Sequence, residues 1–465
     1  MDFMMTFSWV GIMLLIGMLL RAIIKPLGNI LVPACVTGGI IGFILMNTGI
    51  LTKLGANPAM CNTLVDIFFT LSFISIGLTA TPKEEGVDST KETLKGTIGL
   101  GCIWDLLYGL QPLIGFGTLL LVGGFFAMAP EYGLMIPFAF CQGPGQSQNF
   151  GGQIEAAGWA GAQQVAITFA VFGFLFAFFV GVPLAKYGMK KGLSSFPREI
   201  SPAIKKGVYE PEEQTQVAGM MTTYNGNIDV LAFNAALVGL CYAITIPICN
   251  FLMSVPISVV QSIGSMKFFV GLFVAYGVRW IIGKLGIAKY HDSVLQARIT
   301  GFTTDFLIAG AFMAVQLSVV GKWMIPISLT ALVTGIVTLA VCVFFCQRLG
   351  GSFDFERLLG MWGCATGTCP SGIALIRIVD PELRTTAATE MGSMNAMMIP
   401  YTILAPFCIE FCKGTMSFQT LVIWYIIGIV AAFAIILFTK NFKKKKSFNL
   451  LKGEKYIHIG DSPNK

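Results

Sequence analysis

Apolar residues recur along most of this chain in runs long enough to cross a lipid bilayer. A hydrocarbon core about 30 Å thick is crossed by about 20 apolar residues in a helix. On that measure the sequence predicts eleven spans, at 7–24, 32–51, 64–80, 96–128, 163–184, 229–252, 267–282, 300–320, 323–345, 391–411 and 418–439. The predicted fold class is therefore an all-α polytopic membrane protein, embedded in lipid and without a large soluble domain.

Two polar, glycine-rich stretches interrupt this pattern. They read "CQGPGQSQNFGG" from Cys141 and "WGCATGTCPSGIAL" from Trp362. Glycine and proline weaken a helix, so neither stretch is expected to cross lipid as a regular helix. Each stretch follows a short apolar limb and precedes another limb too short to cross. Each therefore predicts a re-entrant hairpin, the outer one at about 132–160 and the inner one at about 355–385.

Internal similarity predicts two related halves. "FTLSFISIG" from Phe69 and "FTTDFLIAG" from Phe302 share Phe, Thr, Phe and Gly at an offset of 233, which also relates Gly38 to Gly271. Two halves with five spans each must be inverted relative to each other, as in many transporters. The predicted divisions are a first repeat at 1–188, a cytoplasmic linker at 189–227, a second repeat at 228–411, an extra transmembrane helix at 412–440 and a basic tail at 441–465. The hairpin tips are then expected to meet near the midplane.

Charge and composition constrain orientation and chemistry. With the N-terminus outside, most Lys and Arg fall on the cytoplasmic side, as the positive-inside rule requires, and the C-terminus is cytoplasmic. We expect the cytoplasmic membrane, no removable signal peptide and no nucleic-acid partner, since the net charge of +7 comes largely from the cytoplasmic rim and tail. Twelve cysteines lie mostly in spans and only two histidines are present, so no transition-metal site is expected.

The hairpin tips carry the residues expected to bind a small anion. Backbone that leaves helical geometry frees amide groups, and a helix N-terminus favours an anion. Hydroxyl and carbonyl oxygens at the same place suit a small cation. The predicted substrate-binding residues are Gly143, Gly145, Gln146, Ser147, Asn149, Thr366, Gly367, Thr368, Pro370, Ser371, Gly372 and Arg377. Close packing of small residues is the structural alternative for each stretch.

A buried carboxylate in the eighth span predicts a cation site. An intramembrane carboxylate usually faces a cavity, a cation or a partner, and the repeat offset pairs Asp305 with Ser72. The predicted cation ligands are Thr70, Ser72, Thr303, Thr304, Asp305 and Asn395. For Asp105 in the fourth span, a cation site and a structural hydrogen bond are both open. Polar stripes that include Glu390 on the tenth span and Gln163 on the fifth are expected to line the same cavity.

The chain resembles the glutamate:sodium symporter family, a distant relative of the 2-hydroxycarboxylate carriers. The similar stretches are "PACVTGGIIGFIL" from Pro33, "FFTLSFISIGLTA" from Phe68, "ITFAVFGFLFAFFVGVPLAKY" from Ile167 and "GTCPSGIA" from Gly367. The resemblance implies a homodimer in which a core holding both hairpins moves against a scaffold, as in an elevator. It also implies coupled uptake of sodium and an acidic amino acid, with sodium as the cation at the predicted ligands and no other cofactor.

Other functions remain open at this point. The first hairpin lacks the histidine of the family pattern, and Cys369, Pro370 and Ser371 replace Thr-Pro-Thr, so a di- or tricarboxylate or another small anion is an alternative substrate. A passive channel would need a continuous polar lining with charge rings. An enzyme using Cys364 or Cys369 would need an activating base, and none lies nearby in the sequence, so we expect a transporter and not an enzyme.

Overall fold

The computed structural model describes residues 2–30, 32–79, 89–196, 206–208, 219–224, 226–256, 258–380, 384–398, 401 and 403–458. Residues 197–205 and 209–218 of the predicted linker and the last seven residues of the predicted tail lie outside the described residues. The same holds for residues 381–383 at the end of the predicted inner hairpin.

Helices make up most of the described chain. In the first half they are α1 Asp2–Ile23, α2 Lys25–Ile30, α3 Ala34–Asn47, α4 Ile50–Lys53, α5 Pro58–Leu78, α6 Ser89–Val122, α7 Ile136–Phe140, α8 Pro144–Ala156 and α9 Ala162–Lys190. In the second half they are α10 Val230–Ser254, α11 Ser258–Ser265, α12 Lys267–Lys284, α13 Ser293–Ala314, α14 Leu317–Val320, α15 Met324–Cys346, α16 Asp354–Thr366, α17 Cys369–Val379, α18 Ala387–Ser393, α19 Leu404–Cys412 and α20 Phe418–Phe438. Short 3-10 turns occur at Gly123–Phe126, Pro130–Met135, Ala288–Tyr290, Gly321–Trp323 and Met394–Ala396.

Seven helical segments in the described ranges are long and apolar enough to cross a membrane. They include the predicted extra helix, α20, which has 21 residues. The all-α polytopic prediction is confirmed in this coarse form, but the count of eleven full-length spans is not matched. Helix α3 has only 14 residues, and α12 and α13 carry charged residues that lower their hydropathy.

The predicted tenth span, at 391–411, is wrong as a single helix. The described residues there form the end of α18, a 3-10 turn at Met394–Ala396 and the nine-residue α19. Asn395 Nδ2 donates to the carbonyls of Met391 and Gly392 at 3.4 and 2.7 Å. A side-chain amide that bonds to the helix's own carbonyls competes with the backbone amides, which favours a break at this place.

Polar side chains at the N-cap positions explain where several helices begin. The Asn57 side chain accepts from the Ala59 amide, with Pro58 at the first helical position of α5. Asp229 accepts from the first-turn amides of α10, and Ser417 accepts from Thr420 in α20. Each cap satisfies an amide that has no acceptor within its own helix.

The chain folds into two compact units, each assembled from separate segments. Unit 1 contains Met1–Lys25, Pro33–Pro82 and Lys206–Ala314; unit 2 contains Pro26–Val32, Lys83–Lys205 and Val315–Lys465. Unit 1 therefore combines α1 and α3 to α5 with α10 to α13. Unit 2 combines α6 to α9 with α14 to α20. Each unit draws on both halves of the sequence.

Unit 1 packs its helices through small residues and one buried polar group. A Cβ atom at Gly17 would overlap the Ala34 carbonyl, and one at Gly38 would overlap the Met13 carbonyl, so α1 and α3 approach closely only because both positions are glycine. Between α5 and α13, Ser75 Oγ donates to the Gln296 carbonyl at 2.9 Å and accepts from Gln296 Nε2 at 2.7 Å.

In unit 2 the tail after α20 packs onto the base of the second hairpin. The Lys443 amide donates to the Arg348 carbonyl and the Ser447 amide to the Gln347 carbonyl, both at 2.8 Å. Two short antiparallel strands follow, β1 Phe448–Asn449 and β2 Glu454–Lys455. The Phe448 ring meets the Phe355 ring of α16 edge-on at 5.7 Å. The predicted tail is thus an ordered part of unit 2 up to residue 458.

A buried polar contact also joins this tail to the hairpin. Glu356 in α16 is fully buried, and its carboxylate accepts from the Ser195 amide at 2.6 Å and the Ser195 hydroxyl at 3.2 Å. Lys455 Nζ donates to the same hydroxyl at 3.0 Å. Burial lowers the pKa of Lys455, and the negative charge of Glu356 opposes that shift. Lys455 therefore supplies a positive charge next to the buried carboxylate of Glu356.

Candidate functional site

The first hairpin consists of α7 and α8, with a break at residues 141–143. Gly143 has a φ of 81°, a region in which only glycine is free of steric cost, and Pro144 follows at the first position of α8. Ser147 Oγ donates back to the Gly143 carbonyl at 3.0 Å. Helix α8 has 13 residues, so its length is about 20 Å, which is shorter than a bilayer core.

Helix α6 holds this break through three side chains on one helical face. Trp104 Nε1 donates to the Cys141 carbonyl at 3.1 Å, Tyr108 OH donates to Gln142 Oε1 at 3.2 Å, and the Cys141 thiol donates to Gln111 Oε1 at 3.2 Å. Positions 104, 108 and 111 are spaced by four and three residues, which places them along one side of the helix. The conformation of the first tip is therefore set by α6.

The second hairpin consists of α16 and α17, with a break at Gly367 and Thr368. Thr368 caps α17 by accepting from the Ser371 amide, and the Thr368 and Ser371 hydroxyls share a hydrogen bond of 3.0 Å. The two limbs touch through glycines, because a Cβ atom at Gly372 would overlap the Gly360 carbonyl. Pro370 lies in the first turn of α17, where its fixed φ suits the helix and its missing amide costs no hydrogen bond.

The two tips lie on either side of Gln111 in α6 and Gly173 in α9. Gln111 Nε2 donates to the Ala365 carbonyl at 3.0 Å and to Thr338 Oγ1 at 3.1 Å, while its oxygen accepts from the first hairpin. A Cβ atom at Gly173 would overlap the Thr366 carbonyl and lie 3.2 Å from the Phe140 ring. One amide side chain and one glycine therefore bring both breaks together.

The predicted substrate residues occupy these two tips, with one exception. The tip positions 143–147 and 366–372 are all buried. The Thr366 hydroxyl donates to the Trp362 carbonyl at 2.7 Å, and Asn149 Nδ2 donates to Gln146 Oε1 at 3.3 Å. Arg377, however, is exposed and lies seven residues beyond Pro370, which is about 10 Å along the axis of α17.

The predicted cation ligands are divided between the two units. Thr70, Ser72, Thr303, Thr304 and Asp305 belong to unit 1, whereas Asn395 and both hairpins belong to unit 2. Within unit 1 the four hydroxyls donate to carbonyls of their own helices, at 2.7–3.0 Å. The Asp305 side chain is exposed and interacts with the Cys35 thiol. In unit 2, the Met391 carbonyl accepts from both Asn395 Nδ2 and the Cys369 thiol.

The predicted cavity-lining role of Glu390 is wrong, because its carboxylate is paired. Arg357 in α16 is fully buried and donates to Glu390 through Nε at 2.7 Å and through NH2 at 2.6 Å. The same guanidinium bonds to Asp354 at 2.8 Å and to Glu92 at 3.0 Å. This cluster fixes α16, α18 and the start of α6 to one another, so it positions the second hairpin without lying at its tip.

Sequence reasoning missed Gln111, the other two α6 side chains and Arg357. For the first hairpin the sequence does contain a signal: Trp104, Tyr108 and Gln111 are spaced so that they share one face of a predicted span. Asp354 and Arg357, three residues apart in an apolar limb, are a second signal. Neither pattern reveals the partner, since Gln111 meets residues 227 and 254 positions away.

A family model described as "Sodium/glutamate symporter" matches residues 1–383 of the chain. The chain belongs to the sodium/glutamate symporter family. The predicted resemblance is thereby confirmed, and the matched region contains both hairpin tips, α6 and α9. No protein among those with curated descriptions matches the chain.

Membership in the sodium/glutamate symporter family makes the protein a multi-pass membrane transporter, with sodium as coupling ion and an acidic substrate. The matched range ends before α18, so α18, α19, α20 and the ordered tail lie beyond it. Those additional elements include Glu390 and Lys455, which pair with or lie beside charged residues of the second hairpin.

Proposed function

We propose that this protein takes up glutamate, or a similarly small acidic substrate, together with sodium across the cytoplasmic membrane. The observation that carries the proposal is the meeting of two broken-helix tips at Gln111 and Gly173. Irregular backbone inside a membrane protein is found where it is buried in protein or lines a cavity, and broken helices of this kind form transporter binding sites.

The substrate carboxylates are assigned to the start of α8. Its first-turn amides at Gly145 and Gln146 have no acceptor within the helix, and Gly143 supplies no side-chain cap. The N-terminus of α17 is different, because Thr368 and Ser371 already occupy it. The positive end of the α8 dipole therefore favours an anion at the first tip.

The coupling cation is assigned to the predicted ligands in two groups. Asp305 and its neighbouring hydroxyls in unit 1 form the first group, and Asn395 beside the second hairpin forms the other. An exposed carboxylate in an apolar helix needs water, a cation or a protein partner next to it, which supports a role for Asp305. Replacing Asp305 or Asn395 one at a time, and measuring the sodium concentration that gives half-maximal uptake, separates the two groups.

The movement proposed is that of an elevator within a homodimer. Unit 2 holds both hairpins and corresponds to the moving core, and unit 1 corresponds to the scaffold that dimerises. The composition of each unit from both halves of the sequence supports an inverted repeat. The N-terminus is placed outside and the C-terminus in the cytoplasm on the distribution of Lys and Arg.

Uptake of radiolabelled glutamate into proteoliposomes tests the proposed function. We expect accumulation when an inward sodium gradient is imposed, and loss of accumulation when sodium is equal on both sides. Competition by unlabelled dicarboxylates at equal concentration measures the substrate preference. Uptake that proceeds equally well without a sodium gradient would refute the coupling, and absence of glutamate uptake with strong dicarboxylate uptake would refute the substrate.

A further inference from the structure

A buried carboxylate beside the first hairpin has no hydrogen-bond or ion-pair partner in the part of the chain that the structure describes. Asp105 in α6 is 1% exposed. Its Oδ1 atom has no hydrogen-bond partner among the described residues, and no Lys or Arg there pairs with it. The other buried carboxylates discussed above, Asp354, Glu356 and Glu390, each accept at least two hydrogen bonds.

Among the residues that the structure describes, no positively charged group interacts with Asp105. Its own helix contributes Cys102, the break of the first hairpin contributes Cys141, and Tyr401 contributes a phenol. Gly101 and Gly109, one turn before and after Asp105, pack against Met397 and against the α20 backbone at Tyr425. The titratable groups that interact with Asp105 among the described residues are these two thiols and this phenol, which are neutral at pH 7, whereas the other described charged residues of α6, Glu92 and Lys95, lie ten or more residues earlier in the helix.

An ionised carboxylate in this position costs several kcal/mol, because burial removes its hydration and nothing replaces it. The charge must therefore be removed by a proton or balanced by a bound cation. A hard cation needs several oxygen ligands, whereas the groups around Asp105 are mainly thiols and apolar side chains. Among the residues that the structure covers, no group of three or more His, Cys, Asp or Glu is placed to hold a metal ion. A proton needs only the carboxylate itself.

We propose that Asp105 is a proton-binding site of this transporter, separate from the sodium site. Asp105 follows Trp104 directly and precedes Tyr108 and Gln111, the three α6 residues that hold the first tip. Neutral Asp105 is compatible with the closed, dry packing seen here. Loss of the proton requires water to reach α6 and thus favours an open first tip. This coupling to uptake rests on the proposed transport function, but the protonation of Asp105 does not.

The test uses Asp105→Asn, which is close to the protonated form in shape and is always neutral. Uptake of glutamate at a fixed sodium gradient is measured between pH 5.5 and 8.5, and again with equal sodium on both sides and an inward proton gradient. The wild type is expected to lose uptake at alkaline pH and to be stimulated at least threefold by the proton gradient. Asp105→Asn is expected to lose both responses and to keep its sodium dependence. Asp229→Asn, the same change at an exposed helix cap, serves as the matched control.

Two results would overturn the proposal. One is an Asp105→Asn variant that keeps the wild-type pH profile and proton-gradient response. The other is an unchanged pH profile with a tenfold higher sodium requirement, which would make Asp105 a sodium ligand.

Thermal unfolding in detergent gives a readout that does not depend on transport. A carboxyl group that is protonated when folded and ionised when unfolded stabilises the protein less as pH rises. The unfolding temperature of the wild type is therefore expected to fall more steeply between pH 5.5 and 8.5 than that of Asp105→Asn. Equal slopes would refute the protonated site, whereas absence of glutamate uptake with unequal slopes would refute only the proposed function.

Discussion

Replacing Gln111 by leucine removes the side chain that touches both hairpin tips while nearly preserving its volume. Three buried groups lose their partner: the Ala365 carbonyl, the Thr338 hydroxyl and the Cys141 thiol. The Thr338 hydroxyl only accepts from Gln111 and can still donate its own proton elsewhere, and the Cys141 thiol is a weak donor. Ala365, however, lies in the last turn of α16, where carbonyls have no donor within the helix. The free-energy cost of the substitution therefore falls mainly on the second tip, where the Ala365 carbonyl loses its only donor among the described residues.

The expected size of the effect on substrate affinity follows from the Ala365 carbonyl alone. Leaving a buried acceptor without a partner costs about 1–3 kcal/mol. If the joined tips are the conformation that binds substrate, this cost reappears as an apparent affinity weaker by about 5- to 150-fold. The assay is the concentration dependence of glutamate uptake by proteoliposomes at saturating sodium. The matched control is Gln261→Leu, the same chemical change at an exposed position of α11 in unit 1.

A half-saturating glutamate concentration within twofold of the wild type would refute this reasoning, provided that Gln111→Leu is incorporated at the wild-type level. So would an equal change in the Gln261→Leu control, because the effect would then not depend on the tips. A fall in maximal uptake with unchanged affinity would show that Gln111 acts on translocation and not on the binding conformation.

Three further outcomes follow from the packing of unit 2. Gly173→Ala places a methyl group on the Thr366 carbonyl, so we expect glutamate uptake to fall at least tenfold, while Gly239→Ala, at a position with open space, leaves it unchanged; equal uptake by both variants would contradict the close approach. Arg357→Met leaves buried carboxylates without their cation, which typically costs about 3–5 kcal/mol, and a detergent unfolding temperature equal to that of the wild type would contradict the role of the cluster. Lys455→Met removes the positive charge beside Glu356, and we expect it to lower the unfolding temperature more than Lys452→Met does at an exposed position; equal effects would argue against the tail contact.

Much of the local structure was predictable because it depends on neighbours along the chain. The two helix breaks follow from Gly143 and from the Gly367–Thr368 pair, and the start of α17 follows from Thr368 and Pro370. The predicted single helix at 391–411 failed because Asn395 bonds back to its own helix, which hydropathy does not register.

Of the candidate site, only the two helix breaks at the hairpin tips were predictable from the sequence. The polar stripe at Glu390 predicted a wet cavity, yet the carboxylate is fully paired with Arg357, 33 residues earlier in the chain. Sequence periodicity shows that two polar residues share a helical face. It does not show whether the facing surface supplies water, a counter-charge or a substrate.

The sequence by itself determined the membrane class, the helices and the two polar breaks, and it carried the family resemblance, because hydropathy and helix breaking are properties of short contiguous segments. Only the tertiary structure decided that Gln111 joins both tips, that Arg357 neutralises a buried carboxylate, and that Asp105 lacks any partner among the described residues. The physical reason is that burial and pairing depend on which distant segment supplies the neighbouring atoms, and the free energy of a buried polar group changes by several kcal/mol with that choice.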